Sequence, residues 1–243
     1  MKLSVVVPVH NEAENIASLV EEIRLVLENT YDYEAIFVDD GSTDQSPDIL
    51  RRLQGKYPRL GIVRHSHHYG QSAALMSGVR AAVGSVIVTL DGDGQNDPRD
   101  IPRLLDVFSG LAGNQEPVMV TGLRSRRRDT AWRRLCSRIA NAVRSRLLHD
   151  ETPDTGCGLK VFSRDLFMDL PAFDHMHRFL PALVQRAGGR VVSVEVNHRP
   201  RRHGRSHYRT LDRLWVGIVD LLGVMWLIRR NVIAQVERTK PHE

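Results

Sequence analysis

The amino-acid sequence predicts an α/β protein in which a mostly parallel β-sheet is flanked by helices on both faces. Three observations lead to this fold class. Short β-branched apolar runs alternate with helical patterns over about the first 120 residues. Two of these runs end in acidic turns that contain glycine. The chain has 243 residues, 42% of them hydrophobic and 26% charged, which is typical of one compact domain with a sizeable core.

The first half of the chain supplies five predicted strands. The first is LSVVVPV at 3–9, whose nearly continuous apolar sequence is typical of a strand that is buried on both faces. The others are expected at 35–38, 60–64, 85–90 and 117–121. Helical patterns separate them at 11–27, from Ser46-Pro47 onward, at 73–83 and at 98–109, and Ser42 or Thr43 is the expected cap of the second helix.

The alternation of strands and helices loosens after residue 121. The expected elements are a basic helix at 132–148, a loop at 152–158, a short strand at 159–162, a helix at 178–186 and an edge strand at 191–196. A basic loop at 198–207 then leads to a long, largely apolar helix at 208–230 and a polar tail.

The net charge of +5 conceals an asymmetry between the two halves. Residues 1–121 carry 10 Lys and Arg against 17 Asp and Glu, a net charge of −7, whereas residues 122–243 carry 24 against 12, a net charge of +12. This division indicates that one half handles cations and the other handles anions or a charged membrane. The two cysteines make no disulfide framework and no signal-peptide pattern is evident, so a reducing compartment is expected.

An acidic turn, Asp91-Gly92-Asp93-Gly94-Gln95, follows the fourth predicted strand. Two carboxylates two residues apart suit a hard divalent cation such as Mg²⁺ or Mn²⁺, and the amide of Gln95 offers a further oxygen. A solvated Asp-Gly turn is the alternative. The position at the end of a buried strand favours the metal site, because uncompensated carboxylates beside a core are costly.

A second acidic cluster, Asp39 and Asp40, follows the second predicted strand within VDDGSTD. Either carboxylate can accept hydrogen bonds from a base or a ribose, and a helix-capping loop is the alternative. The segment PVHNE, which includes Asn11 and Glu12, follows the first strand. Ligands of parallel α/β sheets bind beyond the carboxyl ends of the strands, so these clusters are expected to converge on one crevice.

Four ordered motifs, PVHNE, VDDGSTD, HHYGQSAALMSG and LDGDGQNDP, resemble those of the family 2 inverting glycosyltransferases of the GT-A fold. The similarity covers about residues 3–210 and is nearest to the dolichyl- or polyprenyl-phosphate sugar transferases. It implies a Rossmann-like GT-A domain over 1–210, in which 1–121 binds the nucleotide-sugar and 122–210 binds the acceptor. Residues 211–243 would form a C-terminal amphipathic or apolar helix and a tail.

The resemblance also implies roles for individual residues. The metal and the diphosphate would be held by Asp91, Asp93 and Gln95. The nucleotide-sugar would be bound by Pro8, Asn11, Glu12, Asp39, Asp40, Gly70, Gln71 and Asp91. The chain departs from the family pattern just before Gly70, since His67 or His68 stands where the family has an asparagine.

The basic half contains nine arginines and one acid between Arg124 and Arg146. A solvated basic helix is one interpretation, whereas a nucleic-acid patch is disfavoured because no nucleic-acid fold signature accompanies it. The resemblance matches Arg124, Arg133 and Arg201 to positions that contact phosphates, a task suited to the planar fork of arginine. Asp154 lies in a polar loop that is near the acceptor in related enzymes.

Two features leave alternatives open. The three histidines within 65–68 suggest zinc, but no cysteine or glutamate supports them, and loop packing is favoured. The apolar helix after residue 210, which carries Trp226 and is followed by Arg230, either packs on the sheet or lies in a membrane interface. A membrane-spanning helix is disfavoured, because no apolar run reaches the ~20 residues that it needs.

These features predict a metal-dependent inverting hexosyltransferase, similar to the polyprenyl-phosphate mannosyl and glucosyl transferases. It would move a sugar from a nucleotide-diphospho-sugar, GDP-mannose or a UDP-sugar, to a polyprenyl-phosphate lipid. A lipid phosphate needs only positioning by arginines, whereas a sugar hydroxyl needs a general base, for which Asp154 is the candidate. The candidate catalytic residues are therefore Asp93, Asp154, Arg124, Arg133 and Arg201.

Two other functions remain as alternatives: transfer to a sugar hydroxyl in polysaccharide or cell-envelope glycan synthesis, and non-catalytic binding of a nucleotide-sugar. The protein is expected in the cytoplasm, peripherally associated with the inner face of the cell membrane. Its expected partners are the donor, the lipid acceptor, the membrane surface, and a membrane protein or a second copy of the chain, but no nucleic acid.

Overall fold

The computed structural model describes residues 2–111, 116–124, 144–148, 150, 152–200 and 210–230, and of 210–215 it describes only the backbone. One seven-stranded sheet runs through these ranges, in the order β3-β2-β1-β4-β6-β5-β7. Its strands are β1 (Lys2–Val9), β2 (Asp32–Asp39), β3 (Leu60–Arg64), β4 (Val86–Thr89), β5 (Val118–Arg124), β6 (Lys160–Ser163) and β7 (Arg190–Val196). Only β6 runs antiparallel to its neighbours, so the prediction of a mostly parallel sheet is confirmed.

Helices cover both faces of the sheet, as predicted. They are α1 (Ala13–Leu27), α2 (Ser46–Lys56), α3 (Gln71–Ala81), α4 (Ile101–Leu111), α5 (Arg164–Asp169), α6 (Leu180–Arg186) and α7 (Thr210–Arg229). Apolar side chains of α1, α2 and α4 pack on one face, and those of α3, α5, α6 and α7 pack on the other. Short 3₁₀ helices occupy Pro98–Asp100 and Met176–Arg178, and residues 144–148 are helical.

The central position of β1 in the sheet explains why its sequence is almost continuously apolar. Val5 and Val7 belong to one core cluster and Val6 belongs to the other, and all three are fully buried. Each such valine contributes about 1.5–3 kcal/mol of burial free energy. The strand is therefore held from both faces, and its carboxyl end at Val9 lies between the ends of β2 and β4.

Most predicted elements lie where the sequence indicates, but the predicted cap of α2 is wrong and one helix was not expected. Neither Ser42 nor Thr43 caps α2, because the N-cap is Gln45 and the Ser42 hydroxyl instead accepts a hydrogen bond from the Asn11 amide at 3.0 Å. Helix α5, capped by the Ser163 side chain, was not predicted. The basic helix expected at 132–148 and the basic loop expected at 198–207 lie mostly outside the described residues.

The long C-terminal helix is present as α7 and has two different sides. Val224 is buried, and Leu221 and Ile228 pack against the core. Other apolar side chains are exposed: Ile218, Val219, Leu222 and Trp226, the last at 61%. In the described ranges, no helix has the length and apolarity that crossing a bilayer requires.

Candidate active site

The two acidic clusters meet at one edge of the sheet, as predicted. Asp40 follows β2, Asp91 follows β4, and two consecutive residues at the start of α3 contact both. The Gly70 amide donates to Asp40 Oδ2 at 2.8 Å, and Gln71 Nε2 donates to Asp91 Oδ1 at 2.8 Å. Gly70 has a φ of +90°, which glycine adopts without strain. The dipeptide therefore brings together four of the predicted site residues.

Asp40 is occupied by contacts within the protein. Its carboxylate accepts hydrogen bonds from the Tyr69 and Gly70 amides at 2.9 and 2.8 Å. The Nδ1 atoms of His65 and His68 lie 2.7 and 2.8 Å from it. Burial opposes ionisation, but the bonds from Tyr69, His65 and Gly70 outweigh it and hold the pKa of Asp40 below its ordinary value. Asp40 thus organises the loop that leads to Gly70.

Asp39 has a carboxylate oxygen that its surroundings do not satisfy. The side chain is fully buried, and Oδ1 accepts a hydrogen bond from the Ser42 amide at 3.0 Å. Oδ2 lies 3.2 Å from Arg64 Nε, but it has no hydrogen bond in the described part of the chain. A buried acceptor without a donor is costly, so Asp39 is better suited than Asp40 to accept a bond from a ligand.

Asn11 and Glu12 fasten the loop after β1 to the loop after β2. Asn11, at a φ of +56°, accepts a hydrogen bond at Oδ1 from the Thr43 amide at 2.8 Å. The Glu12 amide donates to Ser46 Oγ at 3.0 Å, and its carboxylate accepts from Asn15 at 2.6 Å. Both residues therefore shape the edge of the crevice, whatever they contribute to a ligand.

Asp91 sits at the tightest point of the site. A Cβ on Gly158 would lie 2.2 Å from Asp91 Oδ2, and a Cβ on Gly92 would lie 2.7 Å from the Pro8 carbonyl oxygen. Burial, and next the charge of Asp93, raise the pKa of Asp91 to about 6. A cation between these two carboxylates would relieve both effects.

The donor set of this turn fits Mg²⁺ or Mn²⁺ held jointly with a substrate. The described residues contain no cluster of three or more His, Cys, Asp or Glu that could hold a metal alone. Mg²⁺ is commonly bound by one or two carboxylates together with substrate phosphates and water, which matches Asp91 and Asp93. The amide nitrogen of Gln95 points to the Arg199 carbonyl at 3.4 Å, so its oxygen is the atom left for a ligand role.

Arg124 and Asp154, both predicted as catalytic, pair with each other. Arg124 Nε and one terminal nitrogen each donate to the Asp154 carboxylate at 2.7 Å, in a two-pronged geometry. Burial disfavours the guanidinium charge, but the bond to Asp154 outweighs it and raises the pKa of Arg124. Asp154 holds Arg124 in place and is poorly suited to act as a free base. Arg133 and Arg201 lie outside the described residues.

A polar cavity of about 240 Å³ adjoins Asp91 on the face covered by α3 and α6. Sequence reasoning missed three of its lining residues, Lys160, His177 and Arg178. The signal for Lys160 was a lone lysine within the apolar strand LKVF. Its side chain is buried and donates to the Cys157 carbonyl, and burial lowers its pKa.

His177 closes the side of this cavity next to α3. Its Nδ1 lies 2.8 Å from Ser72 Oγ. Burial, and next the neighbouring charge of Arg178, lower the pKa of His177 to about 3, so the ring is neutral at physiological pH. The positive charges of the cavity therefore come from Lys160 and Arg178.

Similar proteins agree with the expected family. Relatives include a dodecaprenyl-phosphate galacturonate synthase of Rhizobium johnstonii, 35% identical over 94% of this chain and 68% of its own length. An undecaprenyl-phosphate 4-deoxy-4-formamido-L-arabinose transferase of Pseudomonas syringae is 34% identical over 92% of this chain and 65% of its own. The chain thus spans about two thirds of the length of these relatives.

Solved structures share the GT-A fold at low sequence identity. A Mycobacterium tuberculosis glucosyl-3-phosphoglycerate synthase, in complex with Mn²⁺, UDP and phosphoglyceric acid, has a TM-score of 0.68 at 20% identity over 96% of this chain and 80% of that one. A Pyrobaculum calidifontis mannosyltransferase, in complex with GDP-Man and Mn²⁺, has a TM-score of 0.59 at 24% identity over 84% and 58%. The model of Glycosyl transferase family 2 matches residues 4–171. The chain belongs to glycosyl transferase family 2.

Proposed function

We propose that this protein is a metal-dependent inverting glycosyltransferase that moves a sugar from a nucleotide-diphospho-sugar to a polyprenyl phosphate. The observation that carries the proposal is the pair Asp91 and Asp93 at the end of β4, where burial and mutual repulsion raise the pKa of Asp91 to about 6. Such a pair favours a divalent cation with a diphosphate on its far side. The names of the relatives at 34–35% identity support a polyprenyl-phosphate acceptor.

Asp91 and Asp93, with the side-chain oxygen of Gln95, would hold Mg²⁺ or Mn²⁺. The bound ion supplies positive charge that offsets the charge developing on the leaving nucleotide diphosphate. Gln71 fixes the Asp91 carboxylate through its 2.8 Å hydrogen bond. Solved structures of the same fold in complex with Mn²⁺ and a nucleotide or nucleotide-sugar support this assignment.

The nucleotide would lie along the crevice between the ends of β1, β2 and β4. Asp39 Oδ2 is the acceptor that lacks a hydrogen bond there, so we assign it to a base or ribose donor. Asn11 and Glu12 fix the edge of the crevice, and Asp40 with Gly70 fixes its floor. Pro8 has no polar side chain to offer the ligand, and its backbone lies close against Gly92.

The acceptor would be positioned by arginines of the basic half. Its phosphate oxygen attacks the anomeric carbon from the face opposite the diphosphate, and the bond to the diphosphate breaks with its electron pair. Arg124, oriented by Asp154, would hold the acceptor phosphate together with Arg133 and Arg201. Since a phosphate is already anionic, no general base is needed, and the pairing of Asp154 with Arg124 favours this acceptor over a sugar hydroxyl.

The placement at the inner face of the cell membrane is part of the same proposal. Exposed apolar side chains of α7, including Leu222 and Trp226, are followed by Arg229 and Arg230, a pattern that suits an anionic membrane surface. Residues 1–121 would form the donor half, 122–210 the acceptor half and 211–243 the membrane-contacting part. A membrane protein or a second copy could complete the assembly.

The names of the relatives also bear on the identity of the donor sugar. The names of the relatives specify galacturonate and 4-deoxy-4-formamido-L-arabinose, so they do not support the expected mannosyl or glucosyl specificity. The proposed donor is a nucleotide-diphospho-sugar with either UDP or GDP as the nucleotide.

Purified protein, detergent-dispersed undecaprenyl phosphate and a panel of UDP- and GDP-sugars with Mn²⁺ test the proposal. We expect a lipid-linked sugar of inverted anomeric configuration, detected by mass spectrometry and NMR. Asp93→Ala should abolish turnover, whereas Asp106→Ala, which removes an exposed acid of α4, should not. Transfer only to a soluble glycan would support the hydroxyl-acceptor alternative and refute the lipid one. Full activity of Asp93→Ala would refute the metal role.

A further inference from the structure

The cavity beside Asp91 adjoins the crevice that the nucleotide would occupy, because Gln71 and Asp91 both line it. Further lining residues come from α3, from α6 and from the loop before β6. Its volume of about 240 Å³ is below the usual range for a drug-sized ligand and suits a single sugar ring. Its lining combines apolar, acidic and basic side chains, among them Leu75, Asp91, Lys160, His177, Arg178 and Leu180.

The charges of this cavity are unbalanced. Lys160 is 4% exposed, and within the described residues the only hydrogen bond of its side chain goes to the Cys157 carbonyl. No acid of the described chain forms an ion pair with Lys160 or Arg178, although the charges of Asp91 and of Asp154, which is paired with Arg124, act on Lys160 from further away. Asp91, the one acid of the lining, would be offset by the metal that it helps to hold. An ammonium buried in this way is costly unless an anion pairs with it.

We propose that the cavity binds the sugar ring of the donor and that Lys160, assisted by Arg178, selects a sugar that carries a carboxylate. This inference rests on the proposed function, since it takes the diphosphate to be bound at Asp91 and Asp93. The sugar attached to that diphosphate then enters the adjoining cavity. Leu75 and Leu180 give it an apolar wall, and a hexuronate carboxylate reaches the two cations.

A carboxylate fits these residues better than a hydroxyl does. A hydroxyl leaves the buried ammonium without a counter-charge, whereas a carboxylate supplies charge and accepts hydrogen bonds. A site whose buried polar groups pair with a polar group of the ligand also rejects a ligand that lacks this group, because the polar groups of the protein are then left unsatisfied. Burial lowers the pKa of Lys160, and an anion in the cavity would oppose that effect by favouring the charged form.

Binding of matched donor pairs tests the inference without any acceptor. The pairs are UDP-glucuronate with UDP-glucose and GDP-mannuronate with GDP-mannose, titrated calorimetrically into the full chain with saturating Mn²⁺. We expect the acidic member of at least one pair to bind about tenfold to a hundredfold more tightly than the neutral member. Equal or weaker binding of the acidic member in both pairs overturns the proposal.

Lys160→Met keeps the length of the side chain and removes its charge. It should reduce the ratio of the affinities for the acidic and the neutral sugar to about one. The affinity for the neutral sugar should stay within about threefold of that of the unmodified protein. Lys56→Met, the same change on the exposed end of α2, should leave the preference intact. Circular dichroism verifies that each variant is folded, and Arg178→Gln provides a second, less buried test with the same expected direction.

Three outcomes distinguish failure of this inference from failure of the proposed function. If Lys160→Met leaves the donor preference unchanged and raises KM for undecaprenyl phosphate, the cations serve the acceptor phosphate and the proposal is wrong. If the acidic donors bind selectively but no lipid product forms, the sugar specificity stands and the proposed acceptor fails. If neutral and acidic sugars are transferred to the lipid with the same kcat/KM, the proposed lipid acceptor stands and only the proposed selection of a sugar carboxylate is overturned.

Discussion

Gly158→Ala should displace the Asp91 carboxylate while leaving the fold in place. A Cβ at residue 158 would lie 2.2 Å from Oδ2, 2.3 Å from Cγ and 2.5 Å from Oδ1 of Asp91, and these are its three nearest neighbours. Reaching an ordinary contact of 3.4 Å requires a shift of about 1.2 Å. The obstacle is the end of a side chain and can rotate away, so we expect a stability loss of about 1–3 kcal/mol.

The same shift should be far more damaging to function. Asp91 would lose its 2.8 Å bond from Gln71 and its position relative to Asp93. A misplacement of about 1 Å in a catalytic group can lower turnover by about 100-fold. The assays are Mn²⁺ titration calorimetry, urea denaturation and sugar transfer at saturating donor.

Two control variants and one result decide whether this reasoning is correct. Gly55 and Gly110 lie in α2 and α4, and a Cβ on either would meet nothing within 4 Å. Changing either to alanine should preserve activity and add about 0.5–1 kcal/mol of stability. If Gly158→Ala retains the Mn²⁺ affinity and turnover of the unmodified protein, then Asp91 does not need the position described, and its role as a metal ligand is refuted.

Three further predictions concern charges of the site. Asp93→Asn keeps the shape of the turn but removes a charge, and should weaken Mn²⁺ binding by about tenfold or more in calorimetry; unchanged affinity would contradict the metal assignment. His177 has a pKa of about 3 when folded and 6.5 when unfolded, so only the unfolded chain gains a proton between those values. The His177 contribution to stability should therefore fall by about 2 kcal/mol from pH 7 to pH 5, while the raised pKa of Asp91 acts in the opposite direction over the same range. His177→Gln should remove the His177 contribution, so the urea-derived stabilities of the variant and the unmodified protein should diverge by about that amount, whereas identical pH profiles would show that the ring is not buried as described. Arg124→Ala should cost about 3–5 kcal/mol because the buried Asp154 carboxylate loses both bonds from the guanidinium, and Arg124→Lys should cost less; equal losses in the two variants would mean that the charge pairing is unimportant.

The sequence was sufficient for the parts of the fold that depend on local pattern. The apolar run at 3–9 predicted β1 because burial on both faces leaves no polar alternation. Asp91 and Asp40 were predicted to converge because parallel strands place their carboxyl ends at one edge, and Gly70-Gln71 does link them. In each case the physical cause acts within one element or follows from the parallel arrangement.

The errors arose where a residue's partner is distant in the chain. Ser42 resembled a cap of the next helix, but its hydroxyl serves Asn11, 31 residues away. Asp154 resembled a general base, but it binds Arg124, 30 residues away. The apolar pattern of β6 carries no information about strand direction, so its antiparallel course and the side to which Lys160 points could not be predicted.

The segment that leads into α3 couples the two carboxylate clusters mechanically. Asp40 fixes the Tyr69 and Gly70 amides, and the next residue, Gln71, fixes Asp91. A change at Asp40 is therefore expected to disturb Asp91 through the adjoining Gly70 and Gln71, even if Asp40 never contacts a ligand. Loss of activity in an Asp40 variant would consequently fail to identify it as a nucleotide ligand. Asp39 is the more informative residue, because its Oδ2, beside Arg64, accepts no hydrogen bond among the described contacts, and its Oδ1 is bonded to the Ser42 amide rather than to the segment before α3.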